Sequence, residues 1–206
     1  MLINNIDLAD VYELNLVSVE VTTPVAKTSY IEIPGRDEPL DLTEYFGEIK
    51  YKNRIIKLVY RCKKSREDYY ATFNLMQNAF NGRKVRLNHD DDIEAYFLGR
   101  CAVGGFKSDT GKHQIDISID AEAYRYKNNI TSVTQTGTGV LNLNNWQKRV
   151  APRIINTAEC KIPFGDVERN ISPGTWESKF YLEEGNNEVE ITTTGTVTFE
   201  YQERGL

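Results

Sequence analysis

The chain has 206 residues, room for one large domain or two small ones, and its 40% hydrophobic and 27% charged content is that of a folded rather than a disordered protein. Its 25 basic and 30 acidic residues give a formal charge of −5 with no Lys/Arg run longer than two, against tight nucleic-acid wrapping, which needs a concentrated positive footprint. The opening MLINNIDLADVYELN carries acids where a secretory signal carries Lys or Arg, and no apolar run approaches the roughly 20 residues of a bilayer span, so folding in a cytosol without membrane association is expected.

Along the chain, apolar residues recur with period two, the mark of strands with one face buried. Tyr12, Leu14 and Leu16 alternate with polar neighbours, then Val17, Val19 and Val21 take the opposite phase. That slip predicts a β-bulge near Leu16 and Val17. Ile56, Leu58, Tyr60 and Cys62 form the next alternating run. One segment, about residues 65–81, reads as a helix. Ser65 is its N-cap, Glu67 and Asp68 complement the positive end of the dipole, and Tyr69, Phe73, Met76 and Phe80 share one face. Asn81-Gly82 supplies the stop.

The cluster His89, Asp90, Asp91, Asp92 and Glu94 lacks the alternating spacing that turns carboxylates onto a cation and reads as a solvated hairpin tip. Gly105 to Gly111 resembles a phosphate loop but has one residue too many before the second glycine, and His113 follows the lysine. A hairpin loop between a strand ending near Val103 and one starting near Gln114 is the simpler reading. Ile115, Ile117 and Ile119 then alternate with Asp116, Ser118 and Asp120. The uncharged stretch from Asn128 to Asn145 reads as a linker, an exposed strand pair, or both, with a domain boundary between 127 and 140. Beyond it, turn signals at Pro163-Phe164-Gly165, Pro173-Gly174 and Gly185-Asn186 punctuate short strands of a small β-sandwich. Val189 and Ile191, then Val197, Phe199 and Tyr201, flank Thr194-Gly195 and read as a closing hairpin.

Catalytic chemistry finds little purchase. The two histidines are in no metalloprotease spacing, and no nucleophile motif occurs. Cys62, Cys101 and Cys160 are too dispersed for a zinc site or disulfide framework and read as buried small hydrophobes. Asn129-Ile130-Thr131 and Asn170-Ile171-Ser172 match the glycosylation pattern, which has no meaning in a cytosolic setting. No catalytic, cofactor-binding or metal-binding residues are therefore assigned, and no cofactor is expected. The 12 tyrosines are partly core and partly candidates for binding surfaces of subunits or carbohydrate.

A resemblance emerges from the order of several short motifs. Ile31-Glu32-Ile33-Pro34-Gly35-Arg36-Asp37, followed by Leu40-Asp41-Leu42-Thr43 and Tyr45-Phe46-Gly47, has the form of a strand, a Pro-Gly turn and a returning segment. Tyr51-Lys52-Asn53-Arg54, the helix ending in Asn81-Gly82, Tyr96-Phe97-Leu98-Gly99-Arg100 and Tyr124-Arg125-Tyr126 follow in sequence. Phe180-Tyr181-Leu182, Glu184-Gly185-Asn186-Asn187 and the run from Gly195 to Tyr201 complete the series. Together they resemble the distal tail proteins of siphophages and prophages. The chain departs from many relatives in having Asp120-Ala121-Glu122-Ala123 in place of a Cys-Asp-Pro run before the closing tyrosines.

The resemblance implies a mainly β protein with one α-helix. Residues 1–130 would form a tail-tube-like β-barrel or sandwich that builds a ring, and residues 131–206 a short galectin-like β-sandwich. It implies a non-enzymatic structural protein of the virion tail tip, made in the bacterial host cytoplasm. Its subunits would close into a hexameric ring joining the tail tube protein to tail-associated or receptor-binding proteins, with DNA passing through the lumen without specific binding. Pro34, Gly35, Arg36 and Asp37 are then the candidate assembly loop. The alternative is a host-surface carbohydrate-binding tail module, with Trp146, Trp176 and Tyr181 as the saccharide contacts. A scaffold of galectin type does not itself carry sugar binding, because function lives in the site.

Overall fold

The computed structural model describes residues 1–45, 47–62, 64–105, 107–109, 112–164 and 167–206. The chain divides into two units, Met1–Ala123 and Tyr124–Leu206. In the first, β1 (Leu2–Ile3) and β2 (Ile6–Asp7) lead into a short helix, α1 (Leu8–Tyr12), and then β3 (Leu14–Val21). A projecting pair, β4 (Tyr30–Ile31) and β5 (Leu40–Asp41), precedes β6 (Arg54–Cys62), the long helix α2 (Arg66–Phe80), β7 (Lys84–His89) and β8 (Asp92–Val103). A three-residue strand, β9 (Lys107–Asp109), turns into β10 (Lys112–Lys127), which runs on into the second unit. The main sheet has the order β2-β1-β7-β8-β10-β6-β3, with β9 paired to β10.

Several expectations for this unit have counterparts in local structure. The register between β3 and β6 shifts between Leu16 and Ser18, so the phase slip in the sequence is a bulge. Strand β6 buries Ile56, Leu58, Tyr60 and Cys62, and antiparallel β10 buries Ile115, Ile117 and Ile119 beside it. In α2 the Ser65 hydroxyl accepts from Asp68 N–H, and Tyr69, Phe73, Met76 and Phe80 are all buried. Burying each such side chain stabilises the fold by roughly 1.5–3 kcal/mol, so this one face outweighs the helix's weak intrinsic propensity. Gly82 takes φ +74 directly after the helix, the left-handed geometry that ends it.

A second helix corrects the expectation of one. Asp7 caps α1 by accepting from Ala9 N–H at 2.8 Å, and Glu13 closes it with φ 55. Tyr12, read as the start of the first strand, is the last residue of this helix and meets Phe80 edge-on, ring centroids 6.2 Å apart. Five residues burying only Leu8 are too short to display a helical period.

The second unit is a sandwich of two four-stranded sheets. Its elements are β11 (Thr131–Thr136), β12 (Gly139–Asn145), β13 (Arg153–Asn156), β14 (Cys160–Phe164), β15 (Val167–Ile171), β16 (Gly174–Glu177), β17 (Gly185–Thr193), β18 (Thr196–Tyr201) and β19 (Arg204–Gly205). One sheet has the order β11-β18-β13-β16 and the other β12-β17-β14-β15. Between them lie Leu141, Leu143, Ile154, Ile162, Leu182, Val189, Ile191, Val197, Phe199 and Tyr201. The uncharged stretch after Asn128 is thus β11 and β12, one strand for each sheet.

The closing hairpin read from Val189 to Tyr201 is not one. Strands β17 and β18 belong to opposite sheets, and the chain crosses between them at Thr194-Gly195. Gly137 N–H donates to Gly195 O at 2.8 Å, joining this corner to the matching one between β11 and β12. Both strands bury alternate residues in the same core from opposite sides, so their sequence pattern equals that of a hairpin. Of the turn signals, Pro163 lies in β14, Pro173-Gly174 joins β15 to β16, and Gly165 is outside the described residues. The three cysteines are buried, and burial pushes the Cys101 thiol up to about 11.

Candidate functional site

The segment between β3 and β6 is built differently from everything around it. Its base is fastened to the sheet: Thr22 Oγ1 accepts from Ile55 N–H at 2.9 Å and Thr22 N–H donates to Ile55 O at 3.0 Å. Lys27 N–H to Lys50 O and Lys52 N–H to Val25 O continue the ladder outward. Beyond it, Tyr30 pairs with Asp41 and Ile31 with Leu40, and Leu42 N–H reaches Ser29 O. Hydrogen bonds from the Thr43 hydroxyl and its N–H hold the Asp41 carboxyl below its usual range. At the tip, Arg36 N–H donates to Ile33 O and Gly35 takes φ +82, which requires a residue tolerant of left-handed geometry.

Pro34, Gly35, Arg36 and Asp37 are therefore the turn of a projecting two-stranded arm. Among the described residues from Val25 to Asn53 none is buried. Yet Tyr30 is 56% and Tyr45 75% exposed, alongside Val25, Ile31, Ile33 and Leu40. Isolated two-stranded ribbons are marginal in water. Phe46, part of the motif in this region, lies outside the described residues.

A second apolar surface borders the sheet. Among the described residues strand β3 ends the sheet, paired only with β6, and exposes Leu16, Val17 and Val21 while Leu14 is buried. An edge strand of this length presents unpaired backbone groups to another chain.

The three aromatic residues considered for saccharide are not brought together. Trp146 is half-buried, with the Arg125 guanidinium 4.9 Å from its ring centroid and the Lys127 ammonium 5.7 Å away. Tyr181 is exposed with the Arg149 guanidinium 4.6 Å from its ring centroid, and it borders a recess with Phe180, Asn187 and Glu190. Trp176 lies on β16 beside a separate cavity of about 280 Å³. Asn156, which no motif marked, braces that cavity's wall: its buried amide donates to Ala158 O, Ile171 O and Ser172 O at 2.7–3.2 Å.

The acid cluster forms the turn between β7 and β8, where His89 pairs with Asp92. Asp90 is 2.6 Å from the Met1 amino group, and Asp91 N–H donates to His89 Nδ1 at 3.1 Å. Among the described residues no group of three or more His, Cys, Asp or Glu is gathered as a metal site. The glycine-rich stretch pairs β9 against β10, and its Phe106, Thr110 and Gly111 lie outside the described residues.

No family model matches the chain, and no curated protein matches it significantly. Among solved structures, it is similar to the SPP1 Dit (gp 19.1) protein, described as a paradigm of the hub adsorption apparatus in phages infecting Gram-positive bacteria. The likeness covers 99% of this chain and 98% of that one, with a TM-score of 0.70 and 12% sequence identity. The mainly β fold implied by the resemblance is thus the fold of this chain, shared with the Dit protein over nearly the full length of both.

Proposed function

We propose that the chain is a structural protein of a phage or prophage tail tip, a ring-forming adaptor between the tail tube and the receptor-binding apparatus. The observation that carries this reading is the fold shared over nearly the full length of both chains with a protein of a phage hub adsorption apparatus. The first unit would build the ring, and the second, the galectin-like sandwich, would face the attachment machinery. The arm around Pro34–Asp37 and the edge strand β3 give the ring a physical basis. Both expose apolar groups that a neighbouring subunit would bury, and two dissimilar patches on one subunit make a heterologous contact, which closes when its rotation divides a full turn.

A ring of six such chains would multiply the formal charge of −5 around a channel for DNA. Net acidity keeps a polyanion moving rather than bound. The role is mechanical, and the chemistry it requires is subunit contact rather than catalysis.

Light scattering on the purified chain, alone and mixed with its tail tube protein, tests the reading together with electron microscopy of labelled tail tips. A hexamer-sized ring at the tip is the expected result. A strict monomer under both conditions, with no label at the tip, overturns it. Replacing Tyr30, Ile31 and Leu40 together by Ser should abolish ring formation while leaving the far-ultraviolet circular dichroism unchanged, since none of the three is buried.

A further inference from the structure

We propose that the cavity beside Trp176 is a saccharide-binding site that seats a single pyranose ring on the indole face. It is formed wholly within the second unit by Ile154 and the residues of the β15–β16 turn and its flanks, and its volume of about 280 Å³ lies just below the roughly 300 Å³ at which clefts for drug-sized ligands begin. Its size suits one sugar ring rather than a run of them.

The indole is held in place before any ligand arrives. Trp176 Nε1–H donates to Ser172 O at 2.9 Å, which satisfies its one polar atom and sets the ring plane. The same carbonyl accepts from the Asn156 amide at 3.0 Å, so the turn that supports the indole is anchored to the sandwich interior by a side chain that is itself 4% exposed. Gly174 completes the turn with φ +143, and a Cβ there would come 3.6 Å from Trp176 Nε1. Despite this bracing, Trp176 remains 46% exposed. Both hydrogen bonds converge on the Ser172 carbonyl, and the indole they help to fix stays exposed.

The rest of the lining selects the ligand class. Ile154 and Ile171 are apolar, while Arg169, Asn170, Ser172, Glu177, Ser178 and Lys179 contribute cationic, anionic, amide and hydroxyl groups. A phosphate site would be cationic throughout, whereas residues of both charges border this recess. Donors and acceptors of both signs around one exposed ring match a ligand with hydroxyls that both donate and accept, and with one face of C–H bonds to lie on the π-surface. A pyranose has both properties. The wet rim keeps such a site weak for one sugar, and repetition around an oligomer would raise its avidity.

Ligand-observed saturation-transfer NMR on the full chain, with glucose, galactose, N-acetylglucosamine and their disaccharides as probes and glycerol as the acyclic control, tests the site. At least one pyranose should receive transfer at its ring C–H protons and glycerol none. Trp176→Ala should weaken that binding by roughly tenfold or more, the loss of a central aromatic anchor. Trp146→Phe should leave it unchanged. Should Trp176→Ala unfold, Asn170→Ala and Glu177→Ala, both at exposed positions, serve as the folded variants and should each weaken binding. Absence of transfer to every sugar in the panel, or transfer that persists through Trp176→Ala or through both exposed-site variants, overturns the proposal. The readout is independent of oligomeric state, so its failure leaves the ring reading standing.

Discussion

Lys127 and Glu203 form an ion pair at 2.9 Å near the end of the chain, with the Glu203 side chain only 8% exposed. The same carboxylate accepts from Thr131 Oγ1, and Lys127 N–H donates to Glu203 O at 3.0 Å. Gln202 Nε2 reaches Lys127 O and Arg204 Nη2 reaches Arg149 O. The final residues are therefore stitched to the start of the sandwich through polar groups, where a unit of this size has little additional core to offer. Glu203→Gln retains the shape and the Thr131 contact but leaves Lys127 without its counter-charge. The partial exposure of Lys127 moderates the loss, so a decrease of about 1–3 kcal/mol in stability is expected, read from chemical denaturation of the full chain. Glu203→Ala should cost more, because two donors then lose their acceptor.

Gly99 on β8 faces the backbone of β10 so closely that a Cβ would lie 2.6 Å from both Ala121 Cα and Asp120 O. Backbone atoms in the middle of a sheet have no room to give. Gly99→Ala should destabilise the first unit by about 2–3 kcal/mol or prevent its folding, whereas Gly105→Ala, which meets nothing within 4 Å, should be nearly neutral. Thermal unfolding of the two variants side by side checks this contrast.

The limits of sequence reading follow from which physical signals are local. The helix face of Tyr69, Phe73, Met76 and Phe80 and the bulge at Leu16–Ser18 were legible because each leaves a phase in neighbouring residues. The opposite-sheet placement of β17 and β18 was not, since alternate burial looks the same for strands paired to each other and strands facing across a core. Arg54 is buried, with its guanidinium donating to Ala123 O and lying over the Phe97 ring; both partners are distant in sequence, so nothing near Arg54 announces it. In the candidate sites, the turn at Pro34-Gly35 was visible, while the bracing of Trp176 by Asn156 runs through the Ser172 carbonyl, 16 residues further along the chain than Asn156.

Tyr201 makes the sandwich sensitive to alkali. Its hydroxyl donates to Asn144 O at 2.6 Å, and burial, with the nearby Glu203 charge, pushes the phenol up to about 12. An unfolded tyrosine ionises near pH 10, so above that pH the unfolded state binds fewer protons than the folded one. Stability is accordingly full below about pH 10 and falls as pH rises toward 12. Tyr201→Phe should cost about 1 kcal/mol at neutral pH through the lost hydrogen bond, and should flatten the decline above pH 10. Urea denaturation across this range, with tyrosinate absorbance followed in parallel, measures both effects.

Strand β3 provides a test of assembly that is separate from the arm. Val17 sits at the bulge, 49% exposed, on the strand that ends the sheet. A lysine on an edge strand blocks pairing with another chain by placing a charge where a neighbour would have to bury it, and at an exposed position it costs the monomer little. Val17→Lys should therefore unfold within about 0.5 kcal/mol of the parent yet fail to form the ring, seen as a shift to monomer in light scattering. Val19→Lys is the control: Val19 packs against the core, so this change should lower stability itself. If Val17→Lys assembles as well as the parent while the triple serine arm variant does not, the subunit contact runs through the arm alone, and β3 is an edge that the bulge already protects from pairing.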